Sequence, residues 1–147
     1  MSFAIEITGI PATTTSTAVI KAFKKLGASK VAVVTPYPDE VNQLEEKFFE
    51  QHGINVVSMK GLGITKKKDM QSTLPETAYK LAREADIPEA EALFISCTGF
   101  KTITVIEKLE KELNKCVFSS NTATMWDILN RLGINSEVNK YGKLLSM

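Results

Sequence analysis

The sequence contains little cysteine and little histidine. Its 147 residues include two cysteines, Cys97 and Cys116, and one histidine, His52. Two cysteines are too few for a disulfide-rich secreted scaffold, and together with one histidine they cannot complete a structural zinc site. His52 precedes Gly53 at the end of a helical pattern, so it is interpreted as a cation in a last helical turn rather than as a catalytic base.

The sequence also lacks an excess of one charge, a targeting segment and long apolar runs. Lys plus Arg number 18 and Asp plus Glu 17, so the balance of +1 favours neither nucleic acid nor a membrane surface as a partner. The start has no basic segment, and Glu6 interrupts the early apolar stretch. We expect a reduced, cytoplasmic protein with no membrane partner. With 44% apolar and 24% charged residues, the length fits one domain, residues 1–147.

Predicted strands and helices alternate along the chain. Four segments rich in β-branched or apolar residues are predicted strands: residues 30–35, 54–59, 91–97 and 116–118. Helical patterns follow each of them, at about residues 39–52, 75–85, 101–114 and 120–132. Alternation of this kind predicts right-handed crossovers and a parallel sheet, and therefore an α/β fold.

Local sequence patterns support two of these predicted helices. In the first, Val41, Leu44, Phe48 and Phe49 have the spacing of one apolar helix face. Before the second, residues 73–76 read Thr-Leu-Pro-Glu, which predicts a capping box with proline in the first turn. The lysine-rich stretch at 66–68 is expected to be a polar loop.

Two segments of the chain resemble each other. Residues 13–27 and 119–133 each begin with hydroxyl-rich residues, continue as a helical pattern and stop at Leu-Gly. Any two capped helices share these features, so the similarity can be generic. The alternative is a duplicated architecture in which both halves close with the same unit.

Cys97 is the strongest candidate for chemistry. It ends a predicted strand, and ligands of open parallel sheets bind at the carboxyl ends of strands. A following helix amino terminus would favour its thiolate, and Gly99 would let the backbone approach a ligand closely. A free cysteine is also commonly a small buried apolar residue, and position alone does not decide between the two interpretations. Cys116 begins a strand without an activating neighbour and is interpreted as structural.

Tyr37 and the segment Ser119-Ser120-Asn121 follow two other predicted strands. The Tyr37 phenol could bind a carboxylate or supply a proton, or it could pack over the loop. The hydroxyl and N–H groups of the segment could surround an anion, but ordinary helix capping explains them equally well.

The order of the motifs resembles that of one known family. The series is Val-Val-Thr-Pro-Tyr-Pro-Asp-Glu-Val-Asn at 33–42, Gly-Leu-Gly-Ile-Thr at 61–65, Ala-Leu-Phe-Ile-Ser-Cys-Thr-Gly at 92–99 and Ser-Ser-Asn at 119–121, with Trp126 beyond it. Over residues 9–133 it resembles the maleate cis-trans isomerase and arylmalonate decarboxylase branch of the aspartate/glutamate racemase superfamily.

The resemblance implies a fold and a division of the chain. It implies two similar three-layer α/β/α halves, each with a four-stranded parallel sheet in flavodoxin-like order, around a central site. Residues 1–28 would correspond to the tail of the first half, and residues 29–147 to the second half. This chain would then supply one half of a duplicated two-domain fold.

The resemblance also implies a function. Cys97 would protonate an enolate-like carbon or attack an alkene, and Tyr37 would help to bind a carboxylate, as in a racemase, an isomerase or a decarboxylase of small carboxylic or dicarboxylic acids. The other residues implied to bind substrate are Thr35, Pro36, Lys67, Met70, Thr98, Gly99, Ser119, Ser120 and Asn121. No metal and no organic cofactor is implied.

Two departures leave alternatives open. No segment matches the family's other active-site wall, a Thr-Ser dioxyanion hole or a second cysteine, so a partner chain such as a second copy in a homo-oligomer would supply it. The lysines at 66–68 stand where the family carries small, apolar or amide residues. A truncated member that binds a carboxylate without turnover is the alternative function, and a flavodoxin-like interaction module is a third.

Overall fold

The centre of the fold is a parallel sheet of four strands. The computed structural model of the chain describes residues 3–134 and 138–147. The strands are β1 (Lys30–Thr35), β2 (Asn55–Gly61), β3 (Ala92–Ile95) and β4 (Cys116–Ser119). All neighbouring strands are parallel, in the order β2-β1-β3-β4. The predicted parallel sheet with flavodoxin-like order is therefore confirmed.

Helices cover both faces of the sheet. The helices of the described residues are α1 (Phe3–Thr8), α2 (Thr15–Leu26), α3 (Asp39–Gln51), α4 (Lys67–Ser72), α5 (Pro75–Ala85), α6 (Ile106–Leu113), α7 (Ser120–Arg131) and a final 3₁₀ helix (Lys143–Ser146). One core cluster joins α2, α3, α7 and the 3₁₀ helix to the sheet, and the other joins α5 and α6 to its opposite face. In the described ranges no helix is both long and apolar enough to cross a membrane.

An aromatic cluster forms the centre of the first core. Phe23, Phe49, Phe94 and Phe118 are almost completely buried. The ring centroids of Phe23 and Phe118 lie 4.9 Å apart, and those of Phe49 and Phe94 lie 5.9 Å apart with the planes nearly perpendicular. Edge-to-face pairs of this kind each contribute roughly 0.5–1.5 kcal/mol beyond the burial of their area. The cluster holds α2 and α3 against the sheet.

The helices α2 and α7, which carry the two similar segments, pack side by side. The buried Asp127 carboxylate of α7 accepts hydrogen bonds from Lys21 of α2 at 3.0 Å and from Arg131 at 2.9 Å. Burial alone would raise the pKa of Asp127, but hydrogen bonds from Thr13 and from the two cations hold it below its usual range. This ion pair links α2, from the start of the chain, to the last long helix.

The segment after β3 differs from the prediction. The strand ends at Ile95 rather than Cys97, and α6 begins at Ile106 rather than at residue 101. Cys97 has φ of 90°, which takes the backbone out of the extended conformation. Cys97 therefore lies in a loop, and the expectation that it stands at the amino terminus of the next helix is wrong.

Two smaller expectations are also wrong. The lysine-rich loop continues directly into a short helix, α4. The predicted capping box does not form, because Leu74 is the N-cap residue of α5 and provides no side-chain hydrogen bond. The Thr73 hydroxyl instead donates to the carbonyl of Asp69 at 3.0 Å. Pro75 occupies the first turn of α5, as expected.

Candidate active site

A cavity of about 460 Å³ lies at the carboxyl end of the sheet. Its polar lining consists of Thr15, Ser16, Tyr37, Glu45, Ser96, Cys97, Thr98 and Ser120. Its apolar lining consists of Val19, Val41, Leu44, Phe48, Phe49 and Phe94. Both neighbours of β1 in the sheet, β2 and β3, follow it in the chain. The cavity lies at this point of the strand order, which is where open α/β sheets bind ligands.

Cys97 reaches the cavity through an unusual backbone conformation. A non-glycine residue with φ of 90° stores strain of about 1–3 kcal/mol, which the surrounding structure must hold in place. The start of α7 provides that support. The Cys97 N–H donates to the Ser120 hydroxyl at 3.1 Å, and the Asn121 amide donates to the Thr98 carbonyl at 3.1 Å. The thiol is partly buried and remains accessible from the cavity.

Tyr37 is held by the turn that follows β1. Its N–H donates to the buried Thr35 hydroxyl at 3.1 Å, and that hydroxyl donates to the Asn42 side chain. Gly61 passes so close that a Cβ added there would lie 2.6 Å from the Tyr37 carbonyl oxygen. The turn therefore fixes where the phenol enters the cavity.

The environment of Tyr37 keeps its phenol protonated. Burial raises the pKa of Tyr37 well above its usual value, and the nearby Cys97 thiol and Glu45 carboxyl raise it further. A hydrogen bond with Ser96 has the opposite, smaller effect. Tyr37 is consequently available as a hydrogen-bond donor beside the thiol at neutral pH.

Glu45 is a site residue that sequence reasoning missed. It lies on α3 and lines the cavity, and its Oε1 accepts a hydrogen bond of 2.6 Å from Ser96. Its Oε2 is buried and has no hydrogen-bond partner in the part of the chain that the structure describes. Burial raises the pKa of Glu45, and the Ser96 hydrogen bond partly offsets this. The available signal was a carboxylate within the apolar stripe formed by Val41, Leu44 and Phe48.

Only half of the apolar stripe on α3 packs into the core. Phe49 is buried, whereas Val41 and Leu44 are 39% and 67% exposed. Both line the cavity. The stripe on α3 therefore forms an apolar wall opposite the polar groups after β1 and β3.

The structure brings only some of the predicted binding residues to the cavity. Thr98 and Ser120 line it together with Cys97 and Tyr37. Lys67 is exposed and Met70 partly buried on α4, and neither belongs to the cavity lining. Their part in binding stays a prediction.

The remaining predicted residues lie close to the cavity but do not line it. Thr35 and Pro36 are buried in the Tyr37 turn, and the Pro36 carbonyl accepts from the N–H of Ile64. Ser119 is the N-cap residue of α7. Gly99 lies next to the thiol, because a Cβ added to it would be 3.7 Å from Cys97 Sγ.

The second cysteine and the acidic residues make no comparable site. Burial, reinforced by Glu110, raises the pKa of Cys116 to about 12, so its thiol stays protonated. Within residues 3–134 and 138–147, no group of three or more His, Cys, Asp or Glu residues is arranged to hold a metal ion.

Comparison with known proteins gives a consistent result. Residues 3–145 match the sequence model of the family described as arylmalonate decarboxylase. The chain is 32% identical over 142 residues to an arylmalonate decarboxylase of Bordetella bronchiseptica, covering 95% of this chain and 59% of that protein. It is 26% identical over 137 residues to a maleate isomerase of Geobacillus stearothermophilus, covering 92% of this chain and 55% of that one. The chain thus spans less than two thirds of either relative.

Solved structures show the same similarity. A liganded double variant of arylmalonate decarboxylase superposes with a TM-score of 0.90 at 31% identity, over 95% of this chain and 61% of that one. The maleate isomerase Iso of Pseudomonas putida S16, in a cysteine-to-alanine variant with maleate, gives a TM-score of 0.91 at 26% identity, over 97% and 58%. A cysteine-to-serine variant of the Nocardia farcinica maleate cis-trans isomerase gives 0.87 at 25% identity, over 90% and 54%.

Proposed function

Because the chain belongs to the arylmalonate decarboxylase family, we propose that it acts on a small carboxylic acid, with Cys97 as proton donor or nucleophile. The resemblance seen in the sequence is confirmed at the level of this family and its maleate isomerase relatives. One observation carries the proposal. The Cys97 thiol and the Tyr37 phenol, which follow two adjacent parallel strands, line one cavity at the carboxyl end of the sheet.

The solved relatives support this chemistry. One maleate isomerase structure contains maleate, and another contains a covalently bound succinylcysteine intermediate. A small carboxylate and a reactive cysteine are therefore both present in proteins whose folds match this chain. In this chain, Cys97 is the cysteine that has access to a cavity, whereas Cys116 is held protonated.

The arrangement suits proton transfer next to a carboxylate. The S–H bond of Cys97 breaks as its proton passes to the α-carbon of an enolate-like intermediate, and the electron pair of the enolate forms the new C–H bond. The Tyr37 O–H can donate a hydrogen bond to the carboxylate while charge develops on it. In the described part of the chain the N–H groups of Thr98 and Gly99 donate no hydrogen bond, which leaves both available for the same charge.

Matched cysteine variants test the proposal. Cys97→Ser is expected to abolish turnover of a panel containing maleate, aspartate and an arylmalonate, whereas Cys116→Ser is expected to keep it. Chiral chromatography and ¹H NMR of the products would measure racemisation, isomerisation and decarboxylation. Equal turnover by the wild type and Cys97→Ser would refute the role of Cys97. Saturable binding of these acids without turnover by the wild type would favour the alternative, a protein that only binds a carboxylate.

We also propose that residues 1–28 correspond to the tail of the first half of a duplicated fold and residues 29–147 to its second half. The packing of α2 on α7, with the Thr124 hydroxyl donating to Thr15 at 3.2 Å, supports this assignment. The other wall of the cavity would then come from a partner chain such as a second copy, covering the exposed Val41 and Leu44. Multi-angle light scattering of the chain is expected to show an oligomer, and a monomer would contradict self-association.

A further inference from the structure

We propose that Glu45 sets the charge selectivity of the cavity, admitting an anionic ligand readily only when its carboxyl carries a proton. This inference rests on the proposed function, because it concerns how a carboxylate enters the same site. It assigns a role to a residue that is not part of the Cys97 and Tyr37 pair.

One carboxyl oxygen of Glu45 has a hydrogen-bond partner, and the other has none among the described residues. Its Oε1 is held by the Ser96 hydroxyl at 2.6 Å, and Ser96 directly precedes Cys97. Its Oε2 has lost contact with water and receives no hydrogen bond from any residue that the structure describes. A buried carboxylate oxygen without a donor is costly in its ionised form, and protonation removes most of that cost.

Among the residues that the structure describes, no cation lines the cavity to compensate for this carboxyl. The cavity lining includes no Lys, Arg or His. The other titratable groups of the cavity lining are Tyr37, from the turn after β1, and Cys97, from the loop after β3, and neither side chain can carry a positive charge. From α2 and α7 the lining residues are uncharged, namely Thr15, Ser16, Val19 and Ser120. No side-chain cation of the lining would therefore offset the repulsion between an anion in the cavity and an ionised Glu45.

The direction of the pH dependence follows from burial. Because burial raises the pKa of Glu45, the protonated form persists to higher pH than in an exposed glutamate. Below that range, the carboxyl is neutral and does not repel a bound carboxylate. Above it, the ionised form repels a bound carboxylate, so anion entry should weaken as the pH rises.

Two alkylating reagents of similar size and different charge test this inference. Iodoacetate is an anion and iodoacetamide is neutral, and both alkylate the same Cys97 thiolate. The ratio of their rates at Cys97, measured by peptide mass spectrometry, therefore cancels the thiolate fraction and reports the charge around the thiol. In the wild type, this ratio is expected to fall about tenfold as the pH rises and Glu45 ionises.

Three variants identify the responsible group. Glu45→Gln is expected to give a high ratio that does not change with pH, and Glu45→Asp is expected to keep a pH-dependent ratio. Glu50→Gln, which removes an exposed carboxylate from the same helix, should behave as the wild type. A constant ratio in the wild type would overturn the inference, whether or not Glu45→Gln folds. The same pH course in Glu45→Gln and the wild type would also overturn it.

The alkylation ratio is independent of turnover. If the enzyme assays fail while the ratio follows Glu45, the proposed reaction is refuted and the charge selectivity stands. If turnover depends on Cys97 while the ratio is unaffected by Glu45, the proposed function stands and this inference is refuted.

Discussion

The strained backbone at Cys97 makes a quantitative prediction about stability. The φ of 90° is unfavourable for any side chain with a Cβ, at a cost of roughly 1–2 kcal/mol, and glycine avoids this cost. Glycine also loses more conformational freedom on folding, by roughly 0.5–1 kcal/mol relative to alanine. Cys97→Gly should therefore be more stable than Cys97→Ala by about 0.5–1 kcal/mol, although both remove the thiol.

The same pair of substitutions at Cys116 provides the control. Cys116 lies in β4 and its φ is not positive, so only the entropy of glycine counts there. Cys116→Gly should be less stable than Cys116→Ala by roughly 0.5–1 kcal/mol. The two differences should have opposite signs, and their separation of about 1–2 kcal/mol is the cost of the Cβ at position 97.

Urea unfolding, followed by circular dichroism, would measure all four variants at constant m-value. Thermal unfolding adds a check, since about 1 kcal/mol shifts Tm by about 4 °C in a chain of this length. If alanine exceeds glycine in stability at position 97 by the same margin as at 116, the backbone at Cys97 is not strained. The conclusion that the fold presents this thiol at a cost in stability would then be refuted.

Two further predictions concern the glycines near the site and the ion pair between α2 and α7. Gly61→Ala should destabilise the fold by about 1–3 kcal/mol and lower turnover, because its methyl would crowd the Tyr37 carbonyl. Gly99→Ala, whose methyl would meet the movable Gln71 side chain at 3.3 Å and Cys97 Sγ at 3.7 Å, should cost less, and equal losses of Tm would contradict this contrast. Because the pKa of Asp127 is lowered in the folded state, its stabilising effect should be complete above about pH 4 and disappear as the pH falls through the folded-state pKa. The difference in unfolding free energy between the wild type and Asp127→Asn should shrink accordingly on acidification. A constant difference would show that the ionised carboxylate gains no stability from Thr13, Arg131 and Lys21 together.

The elements that the sequence predicts best are those defined by their own residues. Strand β1 has the predicted bounds, since Val31 to Val34 form an apolar run that is buried on both faces. The helix after β4 begins with the predicted cap, where the Ser119 side chain accepts from the N–H of Thr122 at 3.3 Å. In both cases, a local pattern of residue types is enough to specify the structure.

The elements that were mispredicted depend on contacts from elsewhere in the chain. Nothing in the residue types at 96–105 shows that Cys97 adopts positive φ, because that conformation is held by Ser120, 23 residues later. The apolar stripe of α3 predicts a buried face, but the spacing of its residues does not show which element packs against that face. Leu44 consequently lines a cavity instead of the core.

Residue types alone predict the alternation of strands and helices, the parallel sheet, the family, and Cys97 and Tyr37 as candidate site residues. Glu45 joins these two residues only in the folded chain, through a hydrogen bond to Ser96 across 51 residues. The spacing of apolar residues shows which face of a helix or strand is apolar. The order of the strands in the sheet, in contrast, determines which strand ends lie next to each other. Placing β1 beside β3 brings the residues that follow the two strands into one cavity.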